Sequence, residues 1–60
     1  MRKYVEFSDI AGGEIFVYNQ MRFARCIDAF DPDEFVVNAV CLKDGTMWFL
    51  RDNEVVEIEV

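Results

Sequence analysis

Turn-forming residues recur in this chain at intervals too short for a packed helix. Ala11-Gly12-Gly13, Tyr18-Asn19-Gln20, Asp31-Pro32-Asp33, Lys43-Asp44-Gly45 and Asp52-Asn53 cut it into short runs rich in β-branched and aromatic residues. That spacing predicts an all-β fold of about five antiparallel strands. The runs fall at residues 2–6, 14–18, 21–27, 35–42, 47–50 and 54–60, and Phe7-Ser8-Asp9-Ile10 reads as a short turn that Ser8 could cap, dropping Phe7 and Ile10 onto one side. Asn19-Gln20 is a two-residue hairpin connection, and Asp44-Gly45 supplies residues tolerant of positive φ. The longest connection is expected over Asp28 to Glu34, where Pro32 has no N–H to give a ladder. In the last run Val56, Ile58 and Val60 share one face, opposite Val55, Glu57 and Glu59.

Strands this short, with one dominant apolar face, are most economically closed as a single small SH3-like barrel spanning residues 1–60. An open antiparallel sheet is the alternative, and its free edges would suit pairing in an oligomer. A 60-residue chain buries only about 60% of its unfolded surface. The 53% apolar composition, with Phe7, Phe16, Phe23, Phe35 and Phe49 spread along it, nevertheless allows one core without a staple.

Twelve acidic against six basic residues give a net charge of −6, which repels nucleic-acid phosphate. Such acidity serves solubility, or complements a basic partner surface. Cys26 and Cys41, 15 positions apart, fit neither a zinc knuckle nor a Cys-x-x-Cys pair and read as small strand hydrophobes. No signal-peptide pattern and no membrane-length apolar run occurs, so a cytoplasmic setting is expected.

The succession Phe7-x-x-Ile10-x-Gly12, Phe16-x-Tyr18-Asn19, Phe23-x-Arg25, Asn38-Ala39-Val40-x-Leu42-x-Asp44-Gly45 and Val56-x-Ile58 resembles small bacteriophage-encoded proteins. In those proteins a "G-x-x-F" strand, a "Y-x-K" strand and an "N-A-V-x-L-x-D-G" hairpin build an SH3-like β-barrel. The likeness runs from Phe7 to Ile58, with Arg25 standing where lysine is commoner. It implies an accessory viral protein that acts by binding in the host cytoplasm.

With no histidine and one serine, the residues offer no catalytic pair, and neither enzymatic activity nor a cofactor is expected. Alternation places Arg25 with Phe23 and Ile27, where a guanidinium needs a partner; Asn38, sharing a face with Val40 and Leu42, could offer its oxygen to Arg25 or to a nearby turn. Arg25 is then a structural contact or a ligand-binding residue. Asp28, Asp31, Asp33 and Glu34 lack the spacing of an EF-hand, and a solvated loop is expected instead of a metal site. Flanked by Phe30 and Phe35, they also have the composition of a recognition patch.

If Met47 and Phe49 face the core, Trp48 lies outward with Thr46 and Leu50, either as an interface hot spot extended by Tyr4, Tyr18 and Val55 or as local packing under a loop. The leading expectation is a protein-interaction module for a host or viral protein, contacting it through Trp48, Phe30, Asp31, Asp33, Glu34, Tyr18 and Arg25. Two alternatives stay open. One is an acidic nucleic-acid mimic using Asp28, Asp31, Asp33, Glu34, Glu54, Glu57 and Glu59; the other is a homo-oligomeric structural or ligand-binding protein.

Overall fold

The computed structural model describes the backbone of residues 1–30 and 36–59, and the side chains of residues 1–26 and 36–59. Within them the chain forms β1 (Arg2–Glu6), a 3-10 turn (Phe7–Asp9), β2 (Ile15–Tyr18), β3 (Met21–Phe30), β4 (Val36–Cys41), β5 (Met47–Trp48) and β6 (Val55–Glu59). The expected all-β, antiparallel class is observed, with six strands in the order β1-β6-β2-β3-β4-β5.

This is an open sheet. Among the described residues β1 pairs only with β6 and β5 only with β4, so the two are its edges and the ladder does not run on into a closed barrel. The physical reason lies at the β5 end, where the expected four-residue strand yields only the two residues Met47–Trp48 to any further pairing.

Residues 49–54 carry the chain from the β5 edge back to β6, four positions away. At about 4.8 Å per strand that is about 19 Å across a flat sheet, within reach of six residues only if they are fully extended; the Arg51–Glu54 turn, closed by Glu54 N–H to the Arg51 carbonyl at 3.1 Å, uses up part of that reach, so coiling of the sheet must shorten the path. The crossing drops Leu50 into the core and is tied to the 3-10 turn, where Phe7 N–H donates to the Glu54 carbonyl (2.8 Å) and Ser8 N–H to the Asp52 carbonyl (3.0 Å). Phe7 and Ile10 are buried as expected. Ser8 does not cap the turn; the Asp9 carboxylate instead accepts the Glu6 N–H at 3.3 Å.

One sheet face, the 3-10 turn and Leu50 enclose a core of Phe7, Ile10, Phe16, Phe23, Ala39, Cys41, Leu50 and Val56. Phe16 lies opposite Phe23 in the ladder, and their rings stack at 5.6 Å, while Phe7 meets Phe16 edge-on at 5.5 Å. The β2-β3 hairpin turns on Asn19 (φ 53°) and Gln20 (φ 63°), both left-handed, as a two-residue primed turn requires. In β6 Val56 is buried and Ile58 packs on the core while Val55 is exposed, the alternation read from the sequence.

The long connection begins later than expected, because β3 continues through Asp28 to Phe30. Between Arg25 and Ala29 the register slips, so residues 26–28 lie opposite Asn38 alone. A bulge destroys the period-two signal that marks a strand, which is why the sequence reading stops at Ile27. Residues 31–35, with Asp31, Asp33, Glu34 and Phe35, lie outside the described residues, as do the side chains of Ile27, Asp28, Phe30 and Val60.

Candidate interaction surface

Three expected site residues with described side chains turn onto the core. Arg25 lies along β3 beside Phe23, with its guanidinium 4.4 Å from the centre of the Phe7 ring. Its Nη1 donates to the Phe7 carbonyl at 2.8 Å and to the Ile10 carbonyl at 2.5 Å. The Phe7 carbonyl already accepts the Ile10 N–H at 3.0 Å, closing the turn, so the cation adds a second donor there and gives the Ile10 carbonyl a partner while stacking on the ring. Arg25 thereby fastens the 3-10 turn to the sheet.

Asn38 takes the second of its two expected roles. Its Oδ1 accepts the Leu50 N–H (2.9 Å) and its Nδ2 donates to the Leu50 carbonyl (2.8 Å), so one buried side chain stands in for a strand neighbour beside the crossing segment. Among the described residues, no buried side-chain nitrogen or oxygen lacks a partner.

The expected orientation around Trp48 is inverted. Trp48 lies opposite Ala39, packs on the core and meets the Phe23 ring edge-on at 5.2 Å, whereas Met47 (45% exposed) and Phe49 (56%) face outward and Leu50 is buried. Four residues, the two of β5 and the two that continue it, give periodicity little to grip. The β4-β5 turn fixes the phase instead: Gly45 adopts φ 75°, the Asp44 carboxylate accepts Thr46 N–H (3.0 Å) and Oγ1–H (2.7 Å), and the indole N–H donates to Thr46 Oγ1 (2.9 Å). The Thr46 donors hold the Asp44 carboxyl below its ordinary value. Tyr18 is half-buried, edge-on to Phe23, and its hydroxyl donates to Glu54 (2.8 Å); that hydrogen bond, and after it the Glu54 charge, pushes the phenol above its ordinary value.

The surface these contacts leave free is the other face of the sheet. Ile15 lies opposite Ala24, Ala24 opposite Val40 and Val40 opposite Met47, forming one apolar row across β2, β3, β4 and β5. Because side chains alternate, this row lies on the opposite side from Phe16, Phe23 and Cys41, and Ile15 and Met47 remain about half exposed. A second row, Tyr4, Glu57, Val17 and Arg22, runs beside it over β1, β6, β2 and β3. Leu42, half exposed, adjoins Arg22, whose carbonyl accepts the Leu42 N–H at 2.9 Å.

The charged end of this face is mixed: Glu57 and Glu59 lie 3.5 and 3.8 Å from the Arg2 guanidinium, and Arg22 stands in the same row as Glu57. A shallow hollow of about 280 Å³ lies between Arg2, Ile15, Val17, Arg22 and Glu57. The sequence contains the signal for this face, the alternating apolar residues Ile15, Val17, Ala24 and Val40, but aromatic side chains draw attention away from it.

No protein-family model matches the chain, and no curated protein and no solved structure matches it. Among the described residues no helix is long and apolar enough to cross a membrane, and no three Cys, Asp or Glu side chains converge as metal ligands.

Proposed function

We propose that the chain is a non-enzymatic protein-interaction module, a phage accessory protein that binds and modulates a host or viral protein in the host cytoplasm. The observation that carries this reading is the apolar row Ile15, Ala24, Val40 and Met47, left uncovered among the described residues and bordered by Leu42 on one side and by Glu57 and Glu59 with Arg2 and Arg22 on the other. An apolar centre with a polar rim is the anatomy of a protein contact, and a chain of net charge −6 suits a partner whose rim is basic. The phage setting draws its support from the resemblance of the Phe7 to Ile58 motifs. An SH3-like barrel is the fold relationship we propose with it, supported by the β2–β5 meander and the crossing back to β6.

Affinity capture with the parent chain and three variants tests the proposal. A partner held by the parent and by Asn53→Lys, but lost by Ile15→Lys and Met47→Lys, is the expected result. Equal retention by all four would contradict it. Raising the salt concentration separates the acidic-mimic alternative, whose charge-dominated binding would weaken steeply while an apolar-centred contact changes little.

A further inference from the structure

We propose that β1 is a self-pairing edge, joining two copies of the chain antiparallel about a two-fold axis through Tyr4. This goes beyond the reading above and rests on the free main-chain edge of β1 instead of the apolar row. Among the described residues β1 pairs on one side only, with an unbroken register from Arg2 opposite Glu59 to Glu6 opposite Val55. No proline or bulge interrupts it; of the charges it carries, Lys3 lies on the core-side face with Val5, and Arg2 and Glu6 lie on the face of Tyr4, where an antiparallel copy pairs them. At the other edge β5 has two residues, too few to template a partner.

The hydrogen-bond phase of β1 is fixed by Phe7, whose N–H bonds to Glu54. Counting back in the antiparallel register, Lys3 and Val5 turn their main-chain groups to β6, and Arg2, Tyr4 and Glu6 turn theirs to the open edge. The Glu6 N–H is met there by the Asp9 carboxylate at 3.3 Å, a long and exposed contact that a strand carbonyl can replace.

The side chains of β1 complement themselves. Antiparallel pairing centred on Tyr4 sets Tyr4 against Tyr4 and Arg2 of each copy, which within its own chain lies 3.5 and 3.8 Å from Glu57 and Glu59, against Glu6 of the other, all on the outer face, where Tyr4 is 70% exposed. Opposite-charge and aromatic cross-strand pairs are the favourable ones. Arg2 and Lys3 are two of only six basic residues, so this edge is where a second acidic copy meets the least repulsion. A five-residue edge buries less than the roughly 800 Å² per partner of a standard interface, so association in the micromolar-to-millimolar range is expected.

Sedimentation velocity on the full chain across that concentration range tests the pairing. The parent is expected to dimerise. Tyr4→Pro deletes an N–H that β6 does not use and should raise the dissociation constant at least about tenfold, as should Glu6→Lys, which breaks the symmetric ion pair twice. Glu6→Lys and Arg2→Glu should each be monomeric alone and form a heterodimer when mixed, since both ion pairs are then restored.

A parent that stays monomeric at millimolar concentration overturns the proposal. So does a dimer untouched by Tyr4→Pro and Glu6→Lys in variants whose circular dichroism shows them folded. Should Arg2→Glu not fold, those two variants alone decide it.

Discussion

At the scale of single residues, the side chains that looked most functional are fasteners. Asn38 satisfies both main-chain groups of Leu50, so Asn38→Ala leaves a buried donor and a buried acceptor unmet and should cost about 2–3 kcal/mol in urea unfolding. A loss under about 0.5 kcal/mol would contradict that role. Arg25→Lys keeps the charge but loses the planar guanidinium that stacks on Phe7 while its Nη1 reaches both carbonyls, and is expected to cost about 1–2 kcal/mol by the same measurement. An equally stable lysine variant would show that charge alone suffices.

Tyr18 gives a pH signature. Its hydrogen bond to Glu54 and that group's charge raise the phenol above 10.0, so the neutral form is favoured in the folded chain. The stability from this contact is complete below pH 10.0 and is lost as pH rises through the folded value. In the Tyr4→Phe variant, leaving Tyr18 as the only tyrosine, an absorbance midpoint at or below 10.0 would refute the contact.

At the scale of elements, turns proved more legible than the ends and faces of strands. The Asn19-Gln20 hairpin, the Gly45 turn and the clean alternation of β6 follow from local chemistry that acts over a few residues. The extension of β3 to Phe30 does not, because a register slip opposite Asn38 breaks the pattern. The phase of Met47 to Leu50 is the reverse of the one expected from the sequence for a related reason: Asn38 and the Asp44-Thr46 contacts orient that segment, and those contacts are tertiary or side-chain specific.

The hairpin also carries a prediction. Gln20 holds φ 63° with a side chain that disfavours it, so Gln20→Gly should stabilise the chain by about 0.5–1 kcal/mol in thermal unfolding. Destabilisation would mean that Gln20 makes a contact outweighing its backbone strain.

At the scale of the whole molecule, turn spacing and composition announce an acidic all-β chain able to build one core, of which Phe7, Phe16 and Phe23 form the aromatic part. What they do not announce is how much of that core lies on one side, which depends on six residues crossing from β5 to β6 and coiling the sheet around Leu50. The crossing leaves the opposite face, with Ile15, Leu42 and Met47, turned to solvent. The central claim is therefore a one-sided core beneath an accessible apolar face, and methyl NMR with a soluble paramagnetic agent tests it most directly. The account predicts strong broadening of the Ile15, Leu42 and Met47 methyls with protection of Ile10, Leu50 and Val56. Equal protection of both sets in the monomer would contradict it.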